Sequence, residues 1–164
     1  MNGKMRKQQG VTVLELMFGV AILGIMLAFA VPSFQASQAN SRLRASTSDL
    51  VAAVNTARNQ AVNLRIDVRI QALAGGWASG WQVQYLYPAV IPVSERSERD
   101  TSFPQSGDVN ITKTGGASAL EMVFQANGLM AGGGTRFDLC SSSGRARVLQ
   151  VSPFGRVTNT DGTC

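Results

Sequence analysis

The chain has 164 residues, 45% hydrophobic and 15% charged, with a formal net charge of +5. That length supports one modest core plus one extra apolar segment. There is no histidine, which removes the commonest general base, the triads built on it and most zinc sites. Together with the lack of a phosphate loop with its lysine, a GxSxG elbow or an SxxK pair, this points away from an enzyme and from a cofactor or metal.

Three basic residues, Lys4, Arg6 and Lys7, open the chain ahead of an apolar run. Without them the charge falls from +5 to +2, a weak signal for polyanion binding. The remaining basic side chains are eleven arginines and Lys113, a skew that favours planar, bidentate contacts.

From Val11 to Val31 the sequence VTVLELMFGVAILGIMLAFAV is apolar except for Thr12 and Glu15. At about 1.5 Å per residue it crosses a bilayer core of roughly 30 Å. The flanking positive charge predicts a cytoplasmic N-terminus and an exported remainder. A secretory signal peptide competes with this reading, but its apolar region is shorter and ends at a small-x-small cleavage site. A plain signal anchor does not account for Glu15. A carboxylate five residues into a spanning segment costs about 2.5–3.5 kcal/mol and calls for a partner. Cleavage between Gly10 and Val11 would supply one, because the new α-amine lies one helical turn from Glu15.

The string KQQG followed by VTVLELMFGVAILGIMLAFAVPSF resembles the class III leader of type IV pilins and secretion pseudopilins. The resemblance implies that prepilin peptidase removes residues 1–10 and methylates Val11. It further implies that Glu15 serves subunit docking and that Pro32 kinks the helix. Val11 departs from the phenylalanine usual at that position.

Beyond Pro32, Leu43, Leu50, Val51, Val54, Ala57, Ala61 and Leu64 recur at spacings of three, four and seven, which predicts a continuing amphipathic helix over 32–64. Arg42, Arg44, Asp49, Asn55, Arg58 and Asn59 fall between them and read as its solvated face. A helix from Val11 to Leu64 would be about 80 Å long.

Residues 65–164 form the expected globular, exported domain. Ile66, Val68 and Ile70 alternate with charged residues, and Trp81–Tyr87 repeats the pattern beyond Gly75-Gly76, which predicts an antiparallel hairpin. Trp77 and Trp81 read as core or rim. Pro88 to Gly107, with three prolines and the cluster Glu95–Asp100, reads as an exposed loop or edge excursion. Strand patterns resume at 109–112, 120–124, 135–139, 147–151 and briefly at 156–157, with Gly132-Gly133-Gly134 as a turn. The fold class is therefore α+β, a long N-terminal helix, transmembrane in its first half, packed on a mostly antiparallel sheet; the resemblance of the leader implies that this is the type IV pilin fold. Cys140 and Cys164 lie on the exported side, where a disulfide forms and persists.

The segments Phe124–Gly128, Thr135–Cys140, Gly144–Ser152 and Phe154–Val157 resemble the C-terminal signature of the FimT/FimU/GspH family. That branch offers three functions. One is a minor pilin that helps start pilus assembly and enters the fibre at or near its tip. Another is a FimT-like receptor that binds double-stranded DNA in natural transformation, and a third is a GspH-like type II secretion pseudopilin. Gly144-Arg145-Ala146-Arg147 matches the DNA-binding pattern of the branch. In a strand Arg145 and Arg147 project to one face, where Arg136 and Arg156 could join them on phosphates. The first function is the principal expectation. Its partners are other minor and major pilins, prepilin peptidase and the assembly platform, and its location is the inner membrane with the domain in the periplasm, then the pilus surface.

Overall fold

The computed structural model describes residues 12–96 and 98–164, so the cleavage and methylation expected at Gly10 and Val11 lie outside the described residues. Helix α1 runs Val13–Leu64, and the chain divides into two compact units, one ending at Ser37 and the other running Gln38–Cys164. In the first unit every described side chain, Thr12 to Ser37, is exposed, although nearly all are apolar. A helix apolar on all sides belongs in a membrane or a subunit interior, and α1 is long and apolar enough to cross a membrane. Pro32 lies inside α1, whose helical backbone is unbroken on either side of it.

In the second unit, residues 38–64 of α1 bury Leu43, Ser46, Thr47, Leu50, Ala53, Val54, Ala57 and Ala61. Alanines at 53, 57 and 61 are fully buried on the inward face of the helix. The buried Thr47 hydroxyl donates to the carbonyl of Leu43 at 2.6 Å, which satisfies it within the helix. The helix stops at Leu64 because Arg65 turns left-handed, with φ 54°.

Among the described residues eight strands follow: β1 (Asp67–Ala72), β2 (Gly80–Leu86), β3 (Thr101–Pro104), β4 (Val109–Gly115), β5 (Glu121–Phe124), β6 (Thr135–Ser141), β7 (Arg145–Val151) and β8 (Val157–Thr163). They form two antiparallel four-stranded sheets, ordered β3-β2-β1-β5 and β4-β6-β7-β8. The expected hairpin is present, with Val68 opposite Tyr85 and Ile70 opposite Val83. Arg69, on the other face of β1, donates to Gln84 at 2.9 Å and to Glu121 at 3.3 Å across both neighbouring strands. Trp77 joins the sheets. Its ring meets Phe137 of β6 edge-on at 4.9 Å, and its indole N–H donates to the carbonyl of Ala119 at 2.8 Å.

Two expectations change and one gains detail. The strands divide between two sheets, since a strand pattern shows which residues face inward but not which sheet they join. The segment from Pro88 to Gly107 follows the edge alternative of its expectation in part: it contains a 3-10 turn at Val93–Glu95 and the edge strand β3. Pro104 sits in that edge strand, where its missing N–H costs no central pairing. The brief pattern at Arg156-Val157 opens a seven-residue strand, β8, whose Thr, Asn, Asp and Gly residues show no apolar alternation. Pairing along β7, from Arg145 opposite Thr163 to Val151 opposite Val157, holds it in place.

Candidate functional site

The turn from Ser141 to Arg145 carries the motif glycine. Gly144 has φ 80° and donates its N–H to the carbonyl of Ser141 at 3.1 Å, while a side chain there would meet nothing within 4 Å. Its requirement is the left-handed backbone rather than space. The Ser141 hydroxyl donates to the Arg145 carbonyl at 3.0 Å, and Ser143 donates to Asn40 of α1 at 2.8 Å, which ties the turn to the helix.

Along β7 the side chains alternate. Arg147 lies opposite Leu139 of β6, and Leu149 opposite Phe137, so Arg145 and Arg147 share the face on which Phe137, Leu139, Leu149 and Val151 build the core. The two arginines therefore emerge at the border between the sheet and α1 instead of on the sheet's outer face. There α1 presents Arg44, Ser48, Val51, Asn55 and Arg58, spaced four, three, four and three, as a single stripe. This stripe faces Arg147, Gly155, Arg156, Val157 and Asn159 across a groove of about 730 Å³. A second depression, of about 330 Å³, contains Arg145 and shares Arg44 and Arg147 with the first, so the two form one trough.

Five arginines, 44, 58, 145, 147 and 156, line this trough. Of these five, Arg147 alone has a carboxylate partner among the described residues: it meets Asp161 of β8 at 2.9 Å, and Asp161 is 84% exposed. Gly155 shapes the centre. At φ 72° its missing Cβ leaves room for the stem of Arg58, which a side chain there would strike along with the ring of Phe124.

Arg156 is placed as expected beside Arg147, whereas Arg136 is not. Arg136 pairs in register with Gln150, on the opposite face from Arg145 and Arg147. Its guanidinium is held by the Asp138 carboxylate, Nε at 3.0 Å and Nη2 at 2.6 Å, and this hydrogen bonding raises its pKa. The structure thus separates Arg136 from Arg145 and Arg147, leaving it in another depression that it shares with Arg156, and adds Arg44 and Arg58, which the helical pattern alone assigns to a solvated face, beside the strand pair. Their i, i+4, i+7, i+11, i+14 stripe is visible in the sequence, but its opposition to a strand about a hundred residues later is not. Lys113 cannot contribute. It is buried, with Nζ donating to the carbonyls of Gly115 at 2.8 Å and Ser118 at 2.6 Å, and burial lowers its pKa.

Cys140 and Cys164 form a disulfide with Cα atoms 5.6 Å apart, which fastens the residue after β8 to β6. Trp77 and Trp81 are both buried in the core, away from the trough. Among the described residues no group of side chains is suited to hold a metal ion. In the first unit, Glu15 stands in the first turn of α1, and its N–H donates to the hydroxyl of Thr12 at 3.2 Å. Thr12 thus caps the start of the helix through its hydroxyl, a role that a threonine just ahead of an apolar helical run makes legible in the sequence.

The family model described as Type II transport protein GspH matches residues 46–155, and that of the prokaryotic N-terminal methylation motif matches residues 5–31. No curated protein matches the chain. Among solved structures, the type IV minor pilin FimU of Pseudomonas aeruginosa aligns at 22% identity with TM-score 0.57, covering 74% of this chain and 90% of that one. The minor pseudopilin EpsH from the Type 2 Secretion System of Vibrio cholerae aligns at 7% identity with TM-score 0.55, covering 73% of this chain and 97% of that one. At these identities the likeness is one of fold: a long helix packed on antiparallel sheets.

Proposed function

Since the chain belongs to the family described as Type II transport protein GspH, we propose that it is a non-catalytic filament subunit, a minor pilin of a type IV pilus that acts in assembly initiation at or near the tip. The observation that carries this reading is the first unit of α1. From Thr12 to Ser41 the only charged residue is Glu15, and the apolar side chains around it, such as Phe18, Ile22, Met26 and Phe29, are between half and four-fifths exposed. Such a surface is stable only in lipid or among equivalent helices, and a single carboxylate within it demands a cationic partner. The N-terminal amine of a cleaved neighbour, freed at Val11 by prepilin peptidase, has the right charge.

Before assembly the subunit sits in the inner membrane with residues after Pro32 in the periplasm, where the disulfide forms. Its partners are other minor and major pilins and the inner-membrane assembly platform. The test compares wild type with Glu15→Ala in the producing cell. The variant should remain in the membrane fraction yet vanish from sheared filaments. Normal incorporation of Glu15→Ala would overturn the docking role. Deleting the chain should reduce surface piliation; a loss of protein secretion with normal piliation would assign it instead to a secretion filament.

A second reading, capture of double-stranded DNA in natural transformation, is favoured by the placement of Arg145 and Arg147 in an arginine-lined trough. Arg145→Gln/Arg147→Gln should then lower transformation while piliation stays normal, and unchanged transformation would refute it.

A further inference from the structure

We propose that the polar stripe of α1, Arg44, Ser48, Asn55 and Arg58, is the second wall of a phosphate-binding trough and contacts DNA together with the Arg145/Arg147 strand. The proposal rests on the DNA-capture reading and adds to it a set of residues that lies outside the strand motif. Arg44 and Arg58 are fourteen residues apart on one helix face, about 21 Å along the axis. They therefore bracket the trough end to end, with Ser48 and Asn55 supplying hydrogen-bonding groups between them. The opposite wall supplies Arg147, Arg156 and Asn159, and Arg145 extends it through the adjoining depression.

The chemistry of the walls selects the ligand. Arginines in two rows suit a row of phosphodiester oxygens, which accept fork-like contacts without regard to base identity. None of the lining residues is aromatic, so the trough offers no stacking platform for unpaired bases and addresses the backbone of a duplex. Four of the five guanidinium groups have no carboxylate partner among the described residues, so they reach a phosphate without first breaking an ion pair. Gly155 leaves the stem of Arg58 room to cross toward the strand wall.

The test uses the full chain in non-ionic detergent and a 30-base-pair duplex of arbitrary sequence, with the dissociation constant measured across a salt series. If all five arginines neutralise phosphates, the slope of log K against log salt is about −4.5, and it falls to about −2.7 in Arg44→Gln/Arg58→Gln. Affinity at fixed salt should drop at least about ten-fold. Arg44→Lys/Arg58→Lys should recover most of the slope. A matched control, Arg65→Gln/Arg99→Gln, removes the same two charges from exposed positions outside the trough and should leave the slope near about −4.5 and the affinity within about two-fold of wild type. Thermal midpoints within a few degrees of wild type in all variants would tie the differences to binding. If Arg145→Gln/Arg147→Gln abolishes binding while the helix pair leaves it unchanged, the second wall is refuted and the motif reading survives. If wild type does not bind duplex at low salt, both fall, and an acidic surface on a neighbouring subunit becomes the occupant to pursue. Equal losses in the control pair and the helix pair would also overturn the proposal, because the attraction would then follow net charge and not the trough.

Discussion

Removing the disulfide between Cys140 and Cys164 is the perturbation whose cost follows most directly from the structure. The bond closes a segment with a sequence separation of 24. In the chain-entropy model that closure lowers the entropy of the unfolded chain by about 11.6 cal/mol/K, or about 3.4 kcal/mol at 25 °C. Little else anchors the end of the chain. Every residue of β8 from Thr158 to Asp161 is exposed, Val157 and Gly162 are half-buried, and the strand has only β7 as a neighbour. Cys140→Ser/Cys164→Ser should therefore lower the melting midpoint of the folded domain by roughly 10 °C. Denaturant titration of oxidised, reduced and double-serine protein would give the free energy, and amide exchange would show faster opening along β8 than along β6. A loss below about 1 kcal/mol, with β8 as well protected as before, would refute the reasoning. It would mean that the β7–β8 register alone holds the C-terminus.

Asp161→Asn should tighten duplex binding roughly three-fold. It frees Arg147 from its ion pair at 2.9 Å and removes a carboxylate that would repel a phosphate about 7 Å away by about 0.6 kcal/mol in water-like dielectric; the salt-series assay reads this, and weaker binding would contradict it. Arg65→Gly should stabilise the fold by about 1 kcal/mol in a denaturant titration, because Arg65 holds φ 54° after the last turn of α1, where glycine carries no Cβ penalty. Lys113→Met should cost about 1–2 kcal/mol at neutral pH, since two half-buried carbonyls lose their donor. The gap from wild type should widen as pH rises toward about 10.4, where the unfolded chain still holds the proton that the buried amine has released, and level off above it. Melts across that range check the sign.

Much of this architecture could be read from the sequence because its signals are local. The apolar run, the stripe from Leu43 to Ala61 and the alternation around Val68, Ile70 and Val83 each follow from one element's own periodicity. What stayed hidden depends on pairing between distant elements. β8 is an edge strand of Thr, Asn, Asp and Gly whose existence is decided by its neighbour β7, and within a proline-containing stretch that reads as loop or edge excursion, the residues that become β3 are selected by pairing with β2. The trough is a stronger case. The face reached by Arg145 and Arg147 is set by their register against Leu139 and Asp161, and Arg136, two residues before Asp138, turns to the other face and pairs locally. A motif of four residues fixes the direction of its arginines relative to one another, but not which surface they meet.

That surface follows from how the helix packs. The buried positions Leu43, Thr47, Leu50, Val54 and Ala57 are each followed by a trough position: Arg44, Ser48, Val51, Asn55 and Arg58. One residue on a helix is a rotation of about 100°, so the stripe that lines the trough lies immediately beside the stripe that packs on the sheets. Once Leu50, Val54 and Ala57 seat against the core, Arg44 and Arg58 must emerge at the helix–sheet border. The strand arginines arrive at the same border because they share a face with the core residues Leu149 and Val151. The basic trough is therefore held by the same hydrophobic register that holds the fold: both rows of arginines leave the backbone at positions fixed by their buried neighbours.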